Sequence, residues 1–134
     1  MRVGIVGAGN ISGQYSANLT RLPQLRTGEQ ADYFIPYRVE ITGDHPVTGG
    51  IEDFDLVTEQ YWVLSDEYNT VLATTTLAKN EWEPWHRPIT SPAIWTRDWG
   101  EGRVFVCTPG HDMNVIRDAN VTTLIQRGML WASR

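Results

Sequence analysis

The run Arg103-Val104-Phe105-Val106-Cys107-Thr108 stops abruptly at Pro109-Gly110 and then presents His111. A β-branched and aromatic run of this kind forms a strand, Pro-Gly ends it, and an imidazole is delivered from the strand end, where α/β proteins put chemistry. Upstream, Ser91 to Trp99 leads into Gly100-Glu101-Gly102, a Gly-x-Gly that reads as the tight connection of a hairpin. Downstream, Asn114 to Arg134 reads as an irregular turn and then a closing helix, with Val121, Leu124, Ile125, Gly128 and Leu130-Trp131 giving its apolar face. The end of the chain is thereby constrained to hairpin, histidine and helix.

Further upstream the segments are shorter. Tyr37-Arg38-Val39-Glu40-Ile41-Thr42 alternates apolar and polar residues, the period of a half-buried strand. Gly43-Asp44-His45-Pro46 turns the chain and Thr48-Gly49-Gly50 turns it again. Phe54 to Trp62 includes a second short strand, and Val71-Leu72-Ala73-Thr74-Thr75-Thr76 reads as a buried one. Residues 78–90, with two prolines, two tryptophans and His86, form a long surface loop.

Taken in order, Tyr37-Arg-Val-Glu-Ile-Thr, Asp44-His45-Pro46-Val47, Gly50-Ile51-Glu52-Asp53-Phe54, Glu59-Gln60-Tyr61, Val71-Leu72-Ala73-Thr74, the hairpin through Gly110-His111 and Arg127-Gly128-Met129-Leu130-Trp131-Ala132 resemble the C-terminal half of a ThuA-like (trehalose utilisation) domain. The resemblance begins near Ala31. It implies the fold of class I glutamine amidotransferases: α/β, a mainly parallel flavodoxin-like sheet with a C-terminal β-hairpin and closing helix. ThuA-like domains are generally longer than these 134 residues, so the expectation is an incomplete domain over about 27–134.

Residues 1–26 read differently. Arg2-Val3-Gly4-Ile5-Val6 is a short apolar strand, followed by Gly7-Ala8-Gly9-Asn10-Ile11-Ser12-Gly13 and a helical stretch that Pro23 stops. Gly7 permits a tight turn, Gly9 lets backbone approach a pyrophosphate, and Ser12 stands where the third glycine of a dinucleotide fingerprint belongs. The segment resembles the N-terminal Rossmann-type unit of glucose-fructose oxidoreductase type dehydrogenases. The second strand and the acidic residue that should hold the ribose are missing, since Thr27-Gly28-Glu29-Gln30 follows instead. NAD(P) binding is therefore disfavoured, and the chain reads as a chimeric join near residue 27.

A net charge of −5 with no run of Lys or Arg argues against nucleic-acid or anionic-membrane partners, which require a basic stripe. The single cysteine, Cys107, rules out an internal disulfide and fits a reducing compartment. With no bilayer-spanning apolar run and no signal-peptide core, the expected location is the cytoplasm.

His111 leads the candidate chemical groups. In amidotransferase-like folds the corresponding strand end carries the histidine that activates a cysteine nucleophile, so the resemblance implies an acid–base role. Cys107 itself reads as core packing, because a buried thiol without a nearby cation remains protonated. Glu59-Gln60-Tyr61 resembles an acidic motif of the family that faces the cleft, which makes Glu59 a catalytic partner and Tyr61 a substrate contact. A divalent metal on His45, Glu59 and His111 is a weak option, since the separation of these residues offers no ligand spacing to check. Trp82, Trp85, Trp95 and Trp99 cluster near Arg87 and Arg97. Indole faces with hydrogen-bonding neighbours suit a sugar ring, and Trp85 and Arg97 are the candidates for holding one; Trp95 and Trp99 read as core or interface.

The resemblance implies a protein of carbohydrate catabolism, acting on a trehalose-type disaccharide or an oxidised sugar, or one inactive as it stands. Two other readings stay open: an NAD(P)-dependent sugar oxidoreductase, with Gly7, Gly9 and Ser12 on the cofactor, and a non-catalytic scaffold that completes its core as a homo-oligomer.

Overall fold

The structure, a computed structural model, describes residues 34–79 and 86–133. The strands there are β1 (Phe34–Ile41), β2 (Phe54–Glu59), β3 (Thr70–Leu77), β4 (Ile89–Trp99) and β5 (Gly102–Cys107). They form one curled sheet in the order β2-β1-β3-β4-β5, with antiparallel pairing at each step. Two helices follow, α1 (Met113–Ile116) and α2 (Ala119–Ala132).

The chain is α/β and ends in the expected hairpin and helix, but the mainly parallel flavodoxin-like sheet is corrected. Parallel neighbours need a crossover, usually a helix. The β1 to β2 and β2 to β3 connections contain turns and no helix, and β4 passes to β5 through two residues; β2, β4 and β5 each return antiparallel beside the strand before them, and β3 pairs with β1.

Alternation fixes which side of each strand faces the core. Tyr37 and Val39 of β1 lie opposite Leu56 and Phe54 of β2, and all four are buried while residues between them are exposed. β1 pairs with β3 only through Glu40↔Thr74 and Ile41↔Ala73, so the β1–β2 ribbon splays away from the rest of the sheet. Pro36 and Pro92, which remove backbone donors, both sit in one-sided stretches. Pro36 pairs Val57 but no β3 residue, and Pro92 pairs Thr74 beyond the last β4–β5 partners, Ile94 and Cys107.

The hairpin turns at Gly100, whose φ of 60° is a left-handed value that glycine adopts without strain. After it, Phe105 faces α2. Asp118 caps that helix by accepting from the Asn120 and Val121 amides, and Val121, Leu124 and Gly128 point inward. Val121 and Leu124 are fully buried, each adding about 1.5–3 kcal/mol of apolar transfer energy. Gly128 lets the helix approach: a Cβ there would lie 2.3 Å from the Phe105 ring. Leu130, expected on the apolar face, points to solvent, whereas Trp131 packs at its edge under the Arg103 guanidinium, 5.1 Å from the ring centre. The 43–51 loop closes on the same side, tied to α2 by Arg127 donating to the Gly49 carbonyl at 2.6 Å. Among the described residues no helix is long and apolar enough to cross a membrane.

Candidate functional site

Three segments meet at the far end of the splayed ribbon. Glu59 is the last residue of β2 and pairs with Phe34, the first of β1. Beyond β5, Thr108 extends the ladder by one step, its amide donating to the Ala93 carbonyl at 2.9 Å. Pro109 is then fully buried, and three residues later Asp112 caps α1, accepting from the Asn114 and Val115 amides at 2.7 and 3.1 Å. His111 is thus held between a buried proline and a helix cap.

From that position its Nδ1 stands 3.0 Å from Glu59 Oε2, with the two side chains 28% and 22% exposed. Nδ1 itself is buried and makes no hydrogen bond among the described residues, so the carboxylate contact is one of proximity rather than a directional bond. The Phe34 ring packs edge-on against the imidazole, centroids 5.4 Å apart. Tyr61 donates its hydroxyl to the same Glu59 Oε2. Tyr37 donates to the Glu59 backbone carbonyl at 3.3 Å. The chain leaving β2 is pinned by Gln60 Nε2 to Thr75 Oγ1 at 2.6 Å and by the Val63 amide to Ser91 Oγ at 2.9 Å, which fixes where Tyr61 starts.

The hydroxyls and the thiol of this cluster are held neutral. Burial pushes the Tyr37 phenol well above its ordinary range, with Cys107 adding to the effect. The Tyr61 phenol is also pushed up, first by burial and then by its bond to Glu59. Burial pushes the Cys107 thiol up to about 12, and its sulfur lies 3.5 Å from the Pro109 carbonyl as a donor. A nucleophilic role needs a thiolate, and this environment opposes one.

Of the residues singled out from the sequence, the structure brings His111, Glu59 and Tyr61 together. It does not bring Arg97 to them. Arg97 pairs with Val104 near the start of β5, whereas His111 follows the end of that strand, about 10 Å of strand away at the β rise. There Arg97 is engaged by Asp66 at 2.8 Å and lies over the Tyr68 and Trp99 rings at 5.5 and 5.2 Å. Asp66 is held below the usual carboxylate range by that guanidinium. Trp99, read as core or interface, is 70% exposed. His45 is also elsewhere: its ring packs on Trp131, 5.5 Å between centroids, and its Nδ1 accepts from the Val47 amide at 3.2 Å. Among the described residues no three His, Cys, Asp or Glu side chains converge as a metal site. Trp82 and Trp85, and the Gly7, Gly9 and Ser12 turn with the cofactor reading placed on it, lie outside the described residues.

Phe34 and Tyr37 are the residues that the sequence reading missed. For Tyr37 a signal was available: an inward strand position buries the ring, and a buried phenol requires a hydrogen-bond partner.

The fold and this cluster together define an α/β domain with a histidine and a carboxylate brought together at the end of an antiparallel sheet. The family model for ThuA, trehalose utilisation, matches residues 3–132, so the chain belongs to that family, and the match spans both sides of residue 27. No curated protein and no solved structure matches it.

Proposed function

We propose that the protein acts in carbohydrate catabolism on a trehalose-type disaccharide or an oxidised sugar, with His111 transferring a proton and Glu59 supporting it. The observation that carries this reading is the 3.0 Å separation of His111 Nδ1 and Glu59 Oε2 in a partly open site. Nδ1 is turned toward the carboxylate and away from solvent, which leaves Nε2 as the ring nitrogen to exchange a proton with a ligand. A carboxylate on one ring nitrogen orients the imidazole and stabilises the imidazolium that forms when the other accepts a proton. Tyr61, beside the pair and held neutral, offers a ligand a hydroxyl rather than a charge.

The test compares the protein with its His111→Gln variant, following trehalose and a keto-sugar derived from it by NMR. A loss of about 10²- to 10⁴-fold in turnover is expected for removal of an acid–base residue. Unchanged turnover in a folded variant refutes the role of His111.

A further inference from the structure

We propose that Tyr68 and Trp99, on either side of Arg97 at the hairpin end of the sheet, form a second binding site that stacks a neutral sugar ring away from His111. Only the choice of a carbohydrate ligand rests on the proposed function, and the role of His111 does not enter.

Arg97 and Trp99 alternate with Asp98 along β4 and so share a face. The turn that leads into β3 brings Tyr68 beside them, because Thr70 pairs with Thr96. The guanidinium lies over both rings, 5.5 Å from the centre of Tyr68 and 5.2 Å from that of Trp99, yet the two residues are 72% and 70% exposed. Neighbouring aromatic rings left in water mark an interaction site, whereas scattered ones do not. The patch is also held rigid. Asp66 accepts from the Tyr68 amide at 3.0 Å and from Arg97 Nη1 at 2.8 Å, the Asn69 amide donates to the Asp66 carbonyl at 3.3 Å, and the Asn69 side chain donates to the Ser65 hydroxyl at 3.1 Å. Groups fixed before a ligand arrives lose little freedom on binding it.

Size and charge select the occupant. Two aromatic side chains bury about 150–250 Å² each, short of the roughly 800 Å² per partner of a stable protein interface and suited to one or two sugar rings. Asp66 neutralises the guanidinium, which removes the charge that an anion such as phosphate requires. Two flat faces remain for sugar C–H groups, with hydroxyl partners between them. The half-exposed Asp66 carboxylate accepts, and Arg97, whose bonds to Asp66 and Asn69 all leave from Nη1, keeps the N–H groups of Nη2 as donors.

The chain has six tryptophans, and Trp99→Phe identifies the Trp99 indole N–H signal in a nitrogen-correlated NMR spectrum. Trehalose and maltose should each shift that signal saturably at millimolar concentration, and inorganic phosphate should not. Tyr68→Ala should weaken the binding about fivefold or more by removing one ring, and His111→Gln should leave it unchanged. Both rings are exposed, so neither substitution removes core packing. No saturable shift with either sugar, an equal response to phosphate, or binding unaltered by Tyr68→Ala overturns the proposal. Sedimentation showing a dimer that Trp99→Ala dissociates overturns it too, since the patch would then be a contact between copies. Turnover lost in His111→Gln with an unmoved Trp99 signal counts against this site alone, whereas a saturable shift without turnover of any sugar counts against the proposed reaction alone.

Discussion

Gly128→Ala places a methyl group where none fits. In an exposed helix the change would be favourable by about 1 kcal/mol, because alanine is the best helix former and glycine among the poorest. Here the added Cβ lies 2.3–2.4 Å from three atoms of the Phe105 ring, well over 1 Å inside ordinary carbon–carbon contact. Phe105 is itself buried, so its ring has little room to retreat and α2 must lift from β5. Overpacking of this kind costs about 1–3 kcal/mol. The near-head-on contact points to the upper end of that range. The balance is a loss of about 2 kcal/mol, or roughly 6–8 °C in Tm for a domain of this size. Thermal unfolding followed by circular dichroism measures it directly. The double variant Phe105→Leu/Gly128→Ala should recover at least about 1 kcal/mol relative to the sum of the single losses, the signature of two coupled neighbours. A Gly128→Ala protein as stable as the parent, or single losses that simply add, would refute the close-packed helix–strand contact.

Cys107 should react with a disulfide reagent at pH 8 slowly in the native protein and completely after denaturation; fast native labelling contradicts its burial. Because its thiol is raised to about 12 in the folded chain and ionises near 8.5 when unfolded, the unfolded state binds fewer protons between those values. Its contribution is therefore constant below about pH 8.5 and stability falls as pH rises toward 12, a decline that Cys107→Ala should flatten in denaturant titrations at pH 8 and 10. Asp118→Ala removes the acceptor for the Asn120 and Val121 amides and should cost about 1 kcal/mol, read as a shift in urea midpoint. Thr58 Oγ1 is buried without a partner among the described residues, so Thr58→Val should be neutral or stabilising by up to about 1 kcal/mol; a loss of stability in urea titration would refute this.

Local signals carried much of the architecture. Alternation in Tyr37 to Thr42, the β-branched run at Val71 and the Gly-x-Gly at residues 100–102 each mark a strand or turn that the structure contains. What they could not mark was strand direction, since the same alternating pattern serves parallel and antiparallel neighbours. The parallel sheet came from the resemblance alone, and the antiparallel pairing at every step contradicts it. Site residues divide in the same way. His111 announces itself by following a terminated strand, but nothing local connects Arg97 with Asp66 and Tyr68 across the face of the sheet, or keeps it from the histidine. That separation is a matter of register along β4 and β5. Phe34 contributes only because it happens to pair with Glu59, which no inspection of its neighbours in sequence can disclose.

The meeting of β2's end with the exit of β5 also has a meaning for folding. No short fragment can assemble Glu59 and His111, because the whole of β3, β4 and β5 lies between them in sequence and must be in register before the ribbon can curl onto the β5 exit. Closing such long loops is entropically slow relative to forming the terminal hairpin. The imidazole of His111, set against Phe34 and Glu59 only in the finished protein, should thus be the last group to reach its native NMR shift during refolding, an internal clock for completion of the molecule.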